Sequence, residues 1–130
     1  MKPLDKMNKD FGAFYPTGHM VVAFHTQQNA NAVLRELQEQ GQKHADCMEL
    51  TARQMIDFAE KNLREAGVIA NLGTSLTTVQ TFLDVARKGA TFLILATPDD
   101  AAAKRVTTAI HRVSFVLAER YHNLAIEDVV

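Results

Sequence analysis

The segment ATFLILA, residues 90–96, limits the fold more than any other part of the chain. It is a short apolar run bounded by turn residues, Gly89 before it and Pro98 after it, and reads as a buried strand. Residues 19–26, HMVVAFHT, repeat the theme. Met20, Val22 and Phe24 fall on one side, and His19, Val21, Ala23 and His25 on the other. Strands that are largely apolar on both sides sit in the middle of a sheet. The two segments are therefore expected to be adjacent central strands of one antiparallel sheet.

Helical periodicity fills the chain between them. From Asn29, Ala30, Val33, Leu34 and Leu37 make an apolar stripe, and Gly41 supplies a left-handed stop. Ala45 to Leu50 reads as a second strand. Thr51 and Gln54 form the T-x-x-Q pattern of a capping box, opening a helix to about Ala66 with Met55, Phe58, Ala59, Leu63 and Ala66 on its stripe. Asp57/Lys61 and Glu60/Arg64 have the spacing of favourable pairs along it. Gly67 to Ser75 breaks the pattern, and Leu76, Val79, Leu83 and Ala86 mark another helix. Thr97-Pro98-Asp99-Asp100 is a helix start, with Thr97 as cap and Pro98 in the first turn. Ala102, Val106, Ala109, Ile110 and Val113 form its stripe. Val113 to Ala118 suits either a continuing helix or an extended chain, and Asn123 to Val130 reads as the final strand.

The order is strand-helix-strand, two helices, then strand-helix-strand. The expected fold is α+β and ferredoxin-like (split β-α-β), an antiparallel sheet with a helical-pair insertion at about 51–89. Residues 1–18 read as an N-terminal arm and 19–130 as a single domain. A doubly wound parallel sheet is disfavoured by four strands and the lack of a glycine-rich first turn.

Composition narrows the function classes. Of the 130 residues, 47% are hydrophobic and 22% charged, as in ordinary globular domains. A net charge of −1 lacks the basic footprint of nucleic-acid binding, and charge-driven membrane binding is disfavoured for the same reason. The single cysteine, Cys47, excludes an intrachain disulfide and fits a reducing compartment. The N-terminus has no apolar signal region, and no run approaches the length of a membrane span, so a cytoplasmic location is expected.

The stretch ELTARQM…LREAGVIANLGTSLTTVQTFLDVARKGATFLILATPDDAAAKRV, followed by LAERYHNLAIEDV, resembles a group of small uncharacterised bacterial proteins. These are similar to the general-stress (heat-induced stress) protein family with a divergent split β-α-β repeat. The landmarks are Gln54-Met55, Leu76, Lys88-Gly89, Thr97-Pro98-Asp99-Asp100, Arg105-Val106, Arg120-Tyr121 and Ile126-Glu127-Asp128. The resemblance spans roughly residues 20–130. It implies the split β-α-β fold and a stress-associated role, and brings no catalytic residues. Some relatives carry a glycine- and alanine-rich apolar stretch between the halves, where this chain has a charged, amphipathic one.

Chemical candidates are few. His44, Cys47 and Glu49 lie close together but lack the spacing of a closed metal site, so no metal and no cofactor are expected. His19 and His25 share one side of the first strand and would lie on an open sheet face, available to a ligand or a second subunit. Tyr121 and His122 precede the last strand, with Glu127 and Asp128 inside it. Ser75 and Ser114 lack a nucleophile elbow, and no phosphate loop is present. Asp99 and Asp100 would repel an anion from the helix start they occupy. The expected function is a non-enzymatic stress-associated or regulatory module acting through self-association, as a homodimer, or through partner binding. The alternatives are a small-molecule sensor and, by analogy of fold alone, an enzyme using the open sheet face.

Overall fold

A computed structural model describes residues 17–43, 46–66, 74–122 and 126–129; the side chains of 62–66 and 74–79 are outside the description. The arm expected at the N-terminus lies outside the described residues as far as residue 16. The elements are β1 (His19–Phe24), α1 (Gln27–Glu39), β2 (Cys47–Leu50), α2 (Ala52–Ala66), α3 (Thr74–Arg87), β3 (Thr91–Ala96), α4 (Asp100–Ile110), β4 (Leu117–Tyr121) and β5 (Ile126–Asp128).

The two apolar segments pair as expected. β1 and β3 run antiparallel with Val22 opposite Leu93 and Val21 opposite Ile94. The sheet order is β2-β3-β1-β4-β5, and every neighbouring pair is antiparallel. The fold is therefore α+β with one open antiparallel sheet. The sheet holds five strands where four were expected. Helix α4 stops at Ile110, and the chain after its turn becomes extended as β4. Within β4, Leu117, Glu119 and Tyr121 point one way and Ala118 and Arg120 the other. Within the segment expected as the last strand, Ile126–Asp128 form the short edge strand β5, while residues 123–125 and 130 lie outside the described residues.

Both faces of the sheet are covered by the chain's own helices. Met20, Val22, Phe24, Leu93 and Leu95 pack with Ala30, Val33 and Leu37 of α1 and with Val106, Ala109 and Ile110 of α4. Val21, Ala23, Phe92 and Ile94 pack on the opposite face with Met55 and Ala59 of α2 and with Phe82, Leu83 and Ala86 of α3. The Phe82 and Phe92 rings meet edge to face, 5.9 Å between centroids. All six residues of β1 are buried. This corrects the expectation of an open sheet face carrying His19 and His25: α2 and α3 occupy it.

Local chemistry sets the helix ends. Thr26, not Asn29, caps α1: its Oγ1 accepts the Asn29 N–H at 3.1 Å. At the other end the Gln42 N–H reaches the Leu37 carbonyl at 2.9 Å and the Gly41 N–H reaches Gln38 at 3.0 Å, a Schellman closure. Gly41 takes φ +93°, which a side chain rarely adopts. The capping box of α2 is present in both directions: Thr51 N–H to Gln54 Oε1 at 2.9 Å, and Gln54 N–H to Thr51 Oγ1 at 3.1 Å. Asp57 binds Arg53 rather than Lys61, and Glu60 binds Arg87 of α3, each at 3.3 Å; the expected Glu60/Arg64 pair falls on a side chain outside the description. Asp99 rather than Thr97 caps α4, taking the Ala102 N–H at 2.8 Å. Thr97 is still held by the sheet, its N–H donating to the Gly18 carbonyl at 2.8 Å.

Leu93 is fully buried under α1 and α4, whereas Arg35 stands in solvent on α1. Leu93→Ala should lower the unfolding free energy by on the order of 2–5 kcal/mol through lost burial and a cavity. Arg35→Ala should change it by no more than about 0.5 kcal/mol. Urea melts of the two variants test this ranking, and a costlier Arg35→Ala would contradict it.

Candidate functional site

The clearest concavity is an open cleft of about 460 Å³ at one end of the sheet. The start of β1 (Thr17, Gly18, His19) and the end of β3 (Ala96, Pro98) meet there. Gln40 to Lys43, where α1 closes, form one wall with Asp46, and Ala102 and Arg105 of α4 form the other. The Schellman closure of α1 and the Asp99 cap of α4 bring these walls together. Gly18 pins the floor: its N–H donates to the Tyr121 carbonyl at 2.9 Å, and its carbonyl accepts from Thr97. Its φ of +77° lets the backbone turn between two strands.

The cleft has a defined charge pattern. Lys43 and Arg105 are exposed, and neither enters an ion pair among the described residues. Among the described residues Asp46 is the one acid on the lining, against the two cations Lys43 and Arg105. Two further acids at the α4 start are already engaged. Asp99 accepts from Ala102, and Asp100 binds Arg120 Nη1 at 3.0 Å. Neither lines the cleft. His19 forms part of the floor, with its Nδ1–H donating to the Thr17 carbonyl at 3.0 Å.

Of the four residues singled out in the sequence, the structure brings three to this end of the sheet. His19 is buried and lines the cleft. Tyr121 precedes the last strand as expected; it ends β4 and is buried in the core under α2 and α3. His122 is exposed and meets Glu127 of β5, Nε2 to Oε1 at 3.0 Å. His25 lies past the far end of β1, exposed and roughly 20 Å from His19 at the rise of a strand. The two histidines therefore share no site.

A second polar feature lies at the outer edge of the sheet. Glu119 of β4 stands opposite Asp128 of β5 and opposite Val21 of β1, on the face covered by α2 and α3. Burial, then a hydrogen bond with Asp128 and the charge of Asp128, push Glu119 up to about 8. Arg120 cannot relieve it, because its guanidinium points to the other face and to Asp100.

Cys47 is buried beneath α1 and α4, and burial, followed by the charge of Asp46, raises its thiol above the usual range. Cys47 and Glu49 share a face of β2, as alternation requires, opposite Leu95 and Leu93. Glu49 accepts from Gln27 Nε2 at 2.7 Å. His44 lies outside the described residues. Among the described residues, no three His, Cys, Asp or Glu side chains converge on a metal-sized site, and no helix is long and apolar enough to cross a membrane.

The sequence reasoning missed Lys43, Arg105 and Glu119. Local signals for the first two are lacking, because the turn closing α1 and the second turn of α4 meet only in the folded sheet. Comparison with known proteins finds no matching family model, no matching curated protein and no matching solved structure.

Glu119 makes stability depend on pH. Its folded value of about 8 lies above the reference 4.5, so between those values the folded chain holds a proton that the unfolded chain releases. Its protonation therefore contributes stability that is fully present below about pH 4.5 and is lost as pH rises through about 8. In thermal melts from pH 5 to 9, Glu119→Gln should gain on the wild type as pH rises and level off above about 8. Parallel Tm curves for the two proteins would contradict the assignment.

Proposed function

We propose that this chain is a non-enzymatic regulatory module that binds a small anionic ligand in the cleft between the end of α1 and the start of α4. The observation that carries this reading is the pair Lys43 and Arg105, which both line the cleft, exposed and without an ion pair among the described residues, while both acids at the start of α4 are engaged elsewhere. A carboxylate or phosphate group between them would gain charge-assisted hydrogen bonds. Gln40 and Gln42 add neutral polar groups to the lining, and Asp46 would disfavour a ligand of high negative charge. Binding, not turnover, is the proposed activity, because among the described residues the one strongly shifted carboxyl, Glu119, lies outside the cleft lining.

We read the architecture as ferredoxin-like, with α2 and α3 as a helical pair inserted between two strand-helix-strand halves. The order β2-β3-β1-β4 supports that reading, with β5 added at the edge. The resemblance to the general-stress family supports a stress-associated setting, although its landmarks serve fold. Gln54 caps α2, Asp99 caps α4, Arg120 ties β4 to Asp100, and Tyr121 fills the core. A homodimer has less to rest on, since the sheet face that called for a partner is filled by α2 and α3.

Amide-detected NMR titration with inorganic phosphate, and separately with citrate, tests the proposal. Shifts should concentrate at Gly18, Gly41, Lys43, Ala102 and Arg105. The double variant Lys43→Glu, Arg105→Glu should weaken binding by about tenfold or more, as loss of two charge-assisted contacts requires. Shifts scattered over the surface, or binding indifferent to the double variant, would sink it.

A further inference from the structure

We propose that Glu119 and Asp128 form a proton-operated latch that holds the edge strand β5 against β4. When the two carboxyls share a proton, one donates to the other and the strands stay paired. When both are ionised, like charges face each other in register across the strand pair and β5 loosens.

The geometry makes β5 the element such a latch can move. Among the described residues it is three residues long, lies at the edge of the sheet and pairs with β4 alone. A strand this short has few ladder bonds, so one repulsive cross-strand pair is a large share of its balance. Glu119 faces Asp128 directly, and Tyr121 faces Ile126 two positions on. The ladder continues past β5, where the Val129 N–H donates to the Ala118 carbonyl at 2.9 Å. A second contact ties the same hairpin: His122 Nε2 meets Glu127 Oε1 at 3.0 Å.

Among the described residues, no other charge pairs with Glu119. On β1 the residue opposite Glu119 is Val21, and the titratable group on that side of β1 is His19, whose Nδ1–H is given to Thr17. On β4 the same face carries Leu117 and Tyr121. The described residues of α2 and α3 that pack on this face are apolar: Met55, Ile56, Phe58, Ala59, Phe82, Leu83, Val85 and Ala86. Their charged neighbours Arg53, Asp57, Glu60 and Arg87 pair among themselves, and Lys61 and Asp84 are exposed. The position of Glu119's titration, about 8, places the release just above neutrality.

Hydrogen exchange read by NMR tests the latch on the whole chain. Protection of the Val129 amide, corrected for the intrinsic pH dependence of exchange, should fall about tenfold or more between pH 6.5 and 9, the range that spans the titration of Glu119 at about 8. Val22 in β1 should keep its protection over the same range. Glu119→Gln, which is neutral and still donates to Asp128, should hold Val129 protected throughout. Asp128→Asn should do the same and should also lower the titration of Glu119 followed by its side-chain carboxyl signal. Protection of Val129 that is independent of pH in the wild type would overturn the proposal. So would a fall of equal size in both variants, or a Glu119 carboxyl that titrates in the ordinary carboxylate range. Should Glu119→Gln not fold, Asp128→Asn decides alone.

Discussion

Burial of the two central strands on both faces is the constraint from which the rest of the structure follows. β1 and β3 present large apolar side chains in both directions, and neither set is exposed. At roughly 25 cal/mol per Å² of apolar surface, leaving either face bare would forgo several kcal/mol. One helix pair, α1 and α4, covers the face of Met20, Val22, Leu93 and Leu95. The other, α2 and α3, covers the face of Val21, Ala23, Phe92 and Ile94. The connection between β2 and β3 is long because it has to carry that second layer.

The centre of the sheet was legible in the sequence because its signal is local and redundant. ATFLILA and HMVVAF are apolar at both alternating sets of positions, so a slip of register would not have hidden them. The capping box at Thr51 and Gln54 was legible for a similar reason, since donor and acceptor are one helical turn apart. VSFVLA was not legible, because a short apolar run fits a helix face and a strand equally well. The choice was made by tertiary pairing: Ala118 and Glu119 stand opposite Val22 and Val21 of β1. That pairing also places Tyr121 in the core.

The polar groups were the least legible part, for a physical reason. An exposed cation and a paired one look alike in a sequence, and which acids remain available depends on what they cap. Asp99 and Asp100 read as a barrier to anions at the start of α4. In the structure one is turned back to the helix and the other is drawn outward by Arg120. Lys43 and Arg105 both line the cleft. His19 and His25 share a side of β1 by alternation, yet one is a buried wall of that cleft and the other ends in solvent beyond the strand. Glu119 escaped notice because its partner is set by hairpin register and its burial by helices far away in the chain.

Coverage of the sheet by the chain's own helices is the central claim, and an isotope-filtered NOE experiment tests it directly. In a sample that mixes labelled and unlabelled chains, contacts between the Phe82 and Phe92 rings, 5.9 Å apart at their centroids, should arise only within one chain. Cross-peaks between those rings that pass the inter-chain filter would mean that α3 covers a neighbour's sheet, and would contradict the account.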